Sequence, residues 1–134
     1  MRDITVEKMS DKKRKMLMIL EENEFLYSCL MEFFGTVFDV VATSDTEDAL
    51  NIVKKQKFDI VLASLFTDKM DGFEVTKRIR EFNKDIKIIV NACVDMRENM
   101  PKALKAGAND FIDKSLLNPE EFLEKIEKVL NDKK

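Results

Sequence analysis

Short, fully apolar runs alternate with amphipathic stretches along nearly the whole chain, and few folds accommodate that rhythm. Met16-Leu17-Met18-Ile19-Leu20 is continuously apolar, as expected of a strand buried on both faces. Leu26, Cys29, Leu30, Phe33 and Phe34 then recur at helical spacing, and Gly35 follows where a helix-ending glycine belongs. Residues 37–42 read as a second strand, with Asp39 suggesting a sheet edge. Ser44-Asp45-Thr46-Glu47 has capping-box spacing and opens a helix through about residue 56. Residues 59–64 form a third strand, followed by a polar turn at Thr67-Asp68-Lys69. A helix over 72–82 carries Phe73, Val75, Ile79 and Phe82 on its inner side, and residues 86–90 are the fourth strand. Proline is tolerated in the first turn of a helix, so Pro101 predicts a short helix starting near Asn99 and ending at Gly107. Phe111-Ile112 is a brief fifth strand. Asn118-Pro119-Glu120-Glu121 opens a last helix with Phe122, Leu123, Ile126, Val129 and Leu130 on one stripe. Strands alternating with helices in this way predict an α/β fold, a parallel sheet with helices on both faces.

Composition removes several kinds of chemistry. The sequence has no histidine and two cysteines in unrelated contexts, which excludes Cys/His zinc sites and Ser-His-Asp triads. A net charge of −3 gives no positive field to draw the chain to nucleic acid, and the basic run Lys12-Lys13-Arg14-Lys15 reads as a solvated lead-in to the first strand. The longest apolar run, residues 16–20, is too short to cross a bilayer. The residues therefore predict a cytoplasmic protein with no nucleic-acid or membrane partner. The expected organisation is a polar arm or short surface helix over residues 1–14 and one domain over 15–134, with no output domain appended.

In an open parallel sheet, ligands bind beyond the carboxyl ends of the strands, where strand order reverses. The residues expected there are Glu21, Glu22, Asn23 and Glu24 after the first strand and Ser64, Leu65 and Phe66 at the end of the third. Asn91, Ala92 and Cys93 follow the fourth strand, and Asp113 and Lys114 the fifth. Acidic groups, neutral hydrogen-bonding groups and a lysine converge on one end of the sheet. No glycine-rich phosphate loop is present, since Gly35, Gly72 and Gly107 each read as a helix end or turn.

Taken together, Ile60-Val61-Leu62, Met70-Asp71-Gly72 and the segment from Ala106-Gly107-Ala108-Asn109-Asp110 through Phe111-Ile112-Asp113-Lys114 resemble the hallmark segments of bacterial two-component response-regulator receiver domains. The similarity covers about residues 15–132, and the joint spacing of the motifs is its specific part. The resemblance implies a flavodoxin-like, doubly wound five-stranded sheet of order 2-1-3-4-5. It also implies that Glu21 and Glu22 stand where the family holds Mg²⁺, and that Ser64 stands where the family keeps its phosphorylated aspartate. Asn91 and Lys114 are the equivalents of the phosphate-binding residues, and Phe111 of the switching aromatic. Ser115 and Asp68 replace prolines common in the family.

Phosphoryl transfer needs an anionic oxygen nucleophile and a divalent ion to shield charge. A serine hydroxyl is neutral, and its loss of charge removes one of three carboxylates from the metal cluster, leaving Mg²⁺ weak or vestigial at Glu21 and Glu22. The leading expectation is a degenerate receiver, without enzymatic activity, that works by contact with a sensor kinase or downstream signalling protein through residues 99–130, as a monomer or weak homodimer. A second reading is an active Mg²⁺-dependent phospho-accepting regulator in which Ser64 is an introduced change or another residue is modified. A third is a flavodoxin-fold enzyme or nucleotide binder. Each site residue also has a plainer role: Glu21 or Glu22 paired with Lys114, Ser64 bonded to backbone, Phe111 as core, and Cys93 as a small buried hydrophobe.

Overall fold

The computed structural model describes residues 14–116 and 118–132; the polar arm expected over 1–14 lies outside them except for Arg14. The strands are β1 (Met16–Leu20), β2 (Asp39–Thr43), β3 (Ile60–Ser64), β4 (Lys87–Ala92) and β5 (Asp110–Asp113). Between and after them run α1 (Glu24–Phe34), α2 (Thr46–Lys55), α3 (Gly72–Phe82), α4 (Met96–Ala106) and α5 (Pro119–Asn131), with a single 3₁₀ turn at Lys114–Leu116. All pairings are parallel and the order is β2-β1-β3-β4-β5, the flavodoxin-like arrangement.

Strand side chains alternate between two faces, and both faces are apolar. Met18, Leu20, Val61, Ala63, Ile88, Val90 and Phe111 pack with Val53 of α2, Val75 and Ile79 of α3 and Ala103 of α4. Leu17, Ile19, Ile60, Leu62, Ile89 and Ile112 pack on the opposite face with Phe34 of α1 and with Phe122 and Ile126 of α5. Phe34 is the hub of the second layer, with edge-on ring contacts to Phe38 at 6.1 Å and Phe122 at 5.6 Å. β2 is an edge strand and its Asp39 is exposed, as the charge in that run suggested.

Most helix starts follow their capping residues. Asn23, Asp71 and Asn118 each accept a backbone N–H of the following turn, and Asn118 with Glu121 completes a reciprocal capping box. Several expectations are corrected. The cap of α2 is Asp45, whose carboxylate accepts from the Glu47 and Asp48 amides, so Ser44 is displaced from that role by a stronger charged acceptor. α4 starts at Met96 behind Asp95 and runs through Pro101, three residues ahead of the expected Asn99. The cap at Asp95 fixes the start, and packing of Ala103 and Ala106 holds the helix beyond the proline. Phe82 faces outward, 38% exposed, with the Lys54 ammonium 5.3 Å from its ring centroid. Gly35 ends α1 in right-handed geometry, whereas Gly107 ends α4 at φ 110°, where glycine is favoured.

Arg80 holds the α4–β5 junction. Its guanidinium donates to the Gly107 carbonyl at 2.9 Å and to Asn109 Oδ1 at 3.1 Å, and that same oxygen accepts the Ile88 amide. Burial lowers the Arg80 pKa from its ordinary value.

Gly72 abuts the functional end of the sheet. A Cβ there would lie 2.7 Å from the Ser64 carbonyl oxygen and 3.0 Å from Leu65 Cα, both backbone atoms that cannot swing aside. Gly72→Ala is therefore expected to cost about 1–3 kcal/mol of stability by overpacking. Urea denaturation should show a lower midpoint at unchanged slope; an unshifted midpoint would mean that β3 and α3 separate freely.

Candidate functional site

Because every central strand is apolar on both faces, polar side chains enter the interior at the strand ends. Among the described residues, the buried polar or charged ones are Glu21, Thr46, Ser64, Thr76, Asn91 and Asp113, and four of them stand at the carboxyl ends of β1, β3, β4 and β5. Thr46 and Thr76 belong to α2 and α3.

Glu21 follows β1 directly and is 3% exposed. Its backbone N–H donates to the Thr43 carbonyl, extending the β1–β2 ladder by one bond. Oε1 accepts from Lys114 Nζ at 2.8 Å and Oε2 accepts the Asn23 amide at 3.2 Å, so both carboxylate oxygens are engaged. The Lys114 side chain is itself only 9% exposed, and this ion pair bridges 93 positions of sequence. Glu22 is exposed.

Ser64 and Asn91 are register partners across β3 and β4. Ser64 Oγ donates to the Phe66 carbonyl at 3.3 Å, and Asn91 Nδ2 donates to the Ala63 carbonyl at 3.2 Å. Asn91 is 1% exposed and its Oδ1 has no partner among the described residues, the one such buried side-chain atom. Phe111 is fully buried in the sheet's first layer. Asp113 accepts from both the amide and the hydroxyl of Ser115, so a side-chain-closed turn stands where the resemblance implied a proline. Asp68 turns away from this cluster and accepts from Thr46 Oγ1.

The sheet thus brings Glu21, Ser64, Asn91 and Lys114 to one end, while Glu22 stands at the rim. Cys93, expected to be buried, is exposed in the β4–α4 loop, because β4 has already delivered Ala92 to the core and the chain then turns outward toward Asp95. Hydrogen bonds from the Arg97 side chain and backbone hold the Asp95 carboxyl below the ordinary aspartate value. Sequence reasoning did not foresee the contact from Glu21 to the Asn23 amide, since a loop bond two residues long leaves no periodic signal.

Residues 17–127 match the response regulator receiver domain family. The chain belongs to that family. It is 28% identical over 106 residues to the chemotaxis protein CheY of Halobacterium salinarum, a match spanning 78% of this chain and 88% of that protein. It is 33% identical over 96 residues to the transcriptional regulatory protein ZraR of Salmonella typhimurium, where it spans 72% of this chain and 22% of the relative. It likewise spans 48% of the regulatory protein PhoP of Bacillus subtilis. The CheY-like receiver domain protein of Methanospirillum hungatei superposes with a TM-score of 0.81 at 22% identity, covering 89% of this chain and 95% of that one. The BeF3-activated DrrB receiver domain gives 0.79 at 21% identity, covering 89% and 99%. This chain is a two-component receiver domain.

Receiver domains typically bind Mg²⁺ at the site of phosphorylation, and the donors of this receiver do not fit a tight site for it. Mg²⁺ demands near-octahedral oxygen donors, including free carboxylate. Here Glu21 is committed to Lys114 and Asn23, and Ser64 brings no charge. Among the described residues, no three Asp, Glu, His or Cys side chains form a group able to hold a metal ion.

A carboxylate buried this deeply depends on its cation. Lys114→Met is expected to destabilise the fold by about 3–5 kcal/mol, because it strands the Glu21 charge, whereas adding Glu21→Gln should recover most of the loss. Urea unfolding of the two single variants and the double variant measures the coupling. Additive losses would show that the pair is not energetically linked.

Proposed function

We propose that this receiver signals without accepting a phosphoryl group on β3 and works by binding a protein partner. The observation that carries this reading is Ser64 at the end of β3, seven residues before Asp71, where the resemblance implies the family's acceptor aspartate. A serine hydroxyl needs a base to become a nucleophile, and the sequence holds no histidine to supply one. Ser64 Oγ instead donates to the Phe66 carbonyl.

The equivalents of the phosphate-binding groups are arranged for a site that stays empty of phosphate. Lys114 neutralises Glu21, so its charge is already spent within the fold. Asn91 directs one amide N–H to the Ala63 carbonyl and leaves its Oδ1 unpaired. Phe111, the equivalent of the switching aromatic, lies in the core and has no hydroxyl to favour an outward position. Glu21 and Glu22 then form a vestigial Mg²⁺ site of weak affinity.

The partner is a sensor kinase or a downstream signalling protein in the cytoplasm, with nucleic acid and membrane as disfavoured surfaces for a chain of net charge −3. Among the described residues, no helix is long and apolar enough to cross a membrane. Among the described residues of 99–130, Leu104 on α4 is an apolar candidate for a contact, 50% exposed.

Acetyl phosphate with Mg²⁺ tests the reading. The wild-type chain is expected to gain no hydroxylamine-labile acyl phosphate by mass spectrometry, and beryllofluoride should leave amide shifts around Glu21, Ser64, Asn91 and Lys114 unchanged. Ser64→Asp, which restores a third carboxylate, should gain both responses. An acyl-phosphate adduct on the wild-type chain overturns the proposal.

A further inference from the structure

We infer that the cleft at the amino end of the sheet, opposite the candidate site, binds an acidic segment of a partner protein; this rests on the reading that the chain acts by protein contact and names the partner's chemistry. The starting observation is that basic runs distant in sequence meet there. Of Lys12-Lys13-Arg14-Lys15, Arg14 and Lys15 lie among the described residues and lead into β1. Lys54-Lys55-Gln56-Lys57 closes α2 and leads toward β3. β1 and β3 are parallel neighbours, so both approaches arrive at the same end of the sheet.

The runs enclose a concave surface. Arg14, Lys15 and Lys57 line a cleft of about 390 Å³. Lys15, Lys57 and Lys87 line an adjoining one of about 370 Å³, and the two share Phe58 and Asp59 as a common wall. Phe58 and Ile86 are buried beneath the surface and Leu130 of α5 is partly exposed beside it, so the rim is cationic and the floor apolar. A cleft of this size accepts a short segment that carries one apolar side chain among its acids.

The charges around the cleft select the occupant. Lys15 and Lys57 are exposed and have no ion-pair partner among the described residues. Arg14 donates to the Gly35 carbonyl, a neutral acceptor that leaves its charge in place. The cations outnumber Asp59 and Asp85, the acids of the same walls, so the cleft has the sign opposite to the chain's net charge of −3. Asp59 is occupied within the fold: its Oδ2 accepts the Met16 amide at 2.7 Å, and its carbonyl accepts the Lys87 amide. Asp85 stands exposed at the rim, an acceptor for an N–H donor. A peptide brings carboxylates for the lysines and backbone N–H groups for that acid. A phosphodiester backbone brings acceptors alone, which Asp85 repels, and a bilayer is too flat to reach the apolar floor.

Lysine modification carries its own reference, since Lys77 and Lys105 are exposed outside the cleft. Reductive methylation of the full chain is followed residue by residue by mass spectrometry, without Mg²⁺ or any phosphodonor, while a synthetic peptide of glutamates flanking a single leucine is added. The expected result is at least about fivefold slower reaction at Lys15 and Lys57 with Lys77 and Lys105 unchanged, an effect that fades with added salt. By fluorescence anisotropy of the labelled peptide, Lys15→Glu with Lys57→Glu should raise the concentration for half-saturation by about tenfold. Both positions are exposed, so the urea midpoint of that variant should stay in place. Serine for the peptide's leucine should weaken binding as well. Equal slowing at cleft and reference lysines, undiminished binding by the double variant, stronger protection by phosphatidylglycerol vesicles or duplex DNA than by the peptide, or protection that grows with protein concentration in the absence of peptide each overturns the acidic segment as occupant. An acyl-phosphate adduct in the separate acetyl-phosphate experiment would instead remove the phosphorylation-independent reading and leave protection of Lys15 and Lys57 standing.

Discussion

Burial of the parallel sheet on both faces is the constraint from which the remaining features follow. Strands such as Leu17–Leu20 and Ile60–Ala63 have no solvated side, so a polar side chain in their middle would lose its water without a partner. Chemistry is thereby confined to strand ends, and the parallel direction of the strands brings Glu21, Ser64, Asn91 and Asp113 to the same end. A cluster drawn from four separate strands needs no local sequence signal beyond the point where each apolar run stops.

The buried ion pair is the second consequence. Glu21 ends the strand beside the sheet edge and Lys114 follows the strand at the opposite edge, yet they meet over β3 and β4 because the residues between them, Ser64 and Asn91, are short and neutral. A carboxylate at position 64 would compete with Glu21 for the same ammonium and add a second buried negative charge. With serine there, one acid and one base balance, and the loop amide of Asn23 satisfies the remaining carboxylate oxygen. The arrangement is closed electrostatically, and the polarity defect that persists is Asn91 Oδ1.

Much of this was legible in the residues. Apolar runs announce the strands, and their alternation with helices predicts a parallel sheet covered on both faces, while the strand order is what the family resemblance implies. Asp71 and Asn118 announced their helices through capping chemistry that acts within four residues. What was not legible depended on tertiary contact. Pro101, lacking an N–H, predicts a helix start near Asn99, but Ala103 and Ala106 buried in the core retain the helix around the proline. Phe82 was placed inward by periodicity, yet it lies in the last turn of α3, where the Lys54 ammonium meets its ring outside the core. Cys93 was assigned to the interior by residue type, whereas the loop that carries it has already left the sheet. The choice of Glu21 over Glu22 as the partner of Lys114 follows from strand alternation at the end of β1, which turns the first inward and leaves the second at the rim.

Charge on the described surface is distributed by helix direction. Every helix runs antiparallel to the strands, so first turns gather at the functional end of the sheet and bring Glu24, Glu47, Asp48, Glu74, Glu98, Glu120 and Glu121 with them. Last turns gather at the other end with Lys54, Lys55, Arg80, Lys105 and Lys128. Four helices carry acids in the first turn and at least one base in the last. α1 has no base of its own in the last turn, and Arg14 from the approach to β1 supplies a cation there by donating to the Gly35 carbonyl.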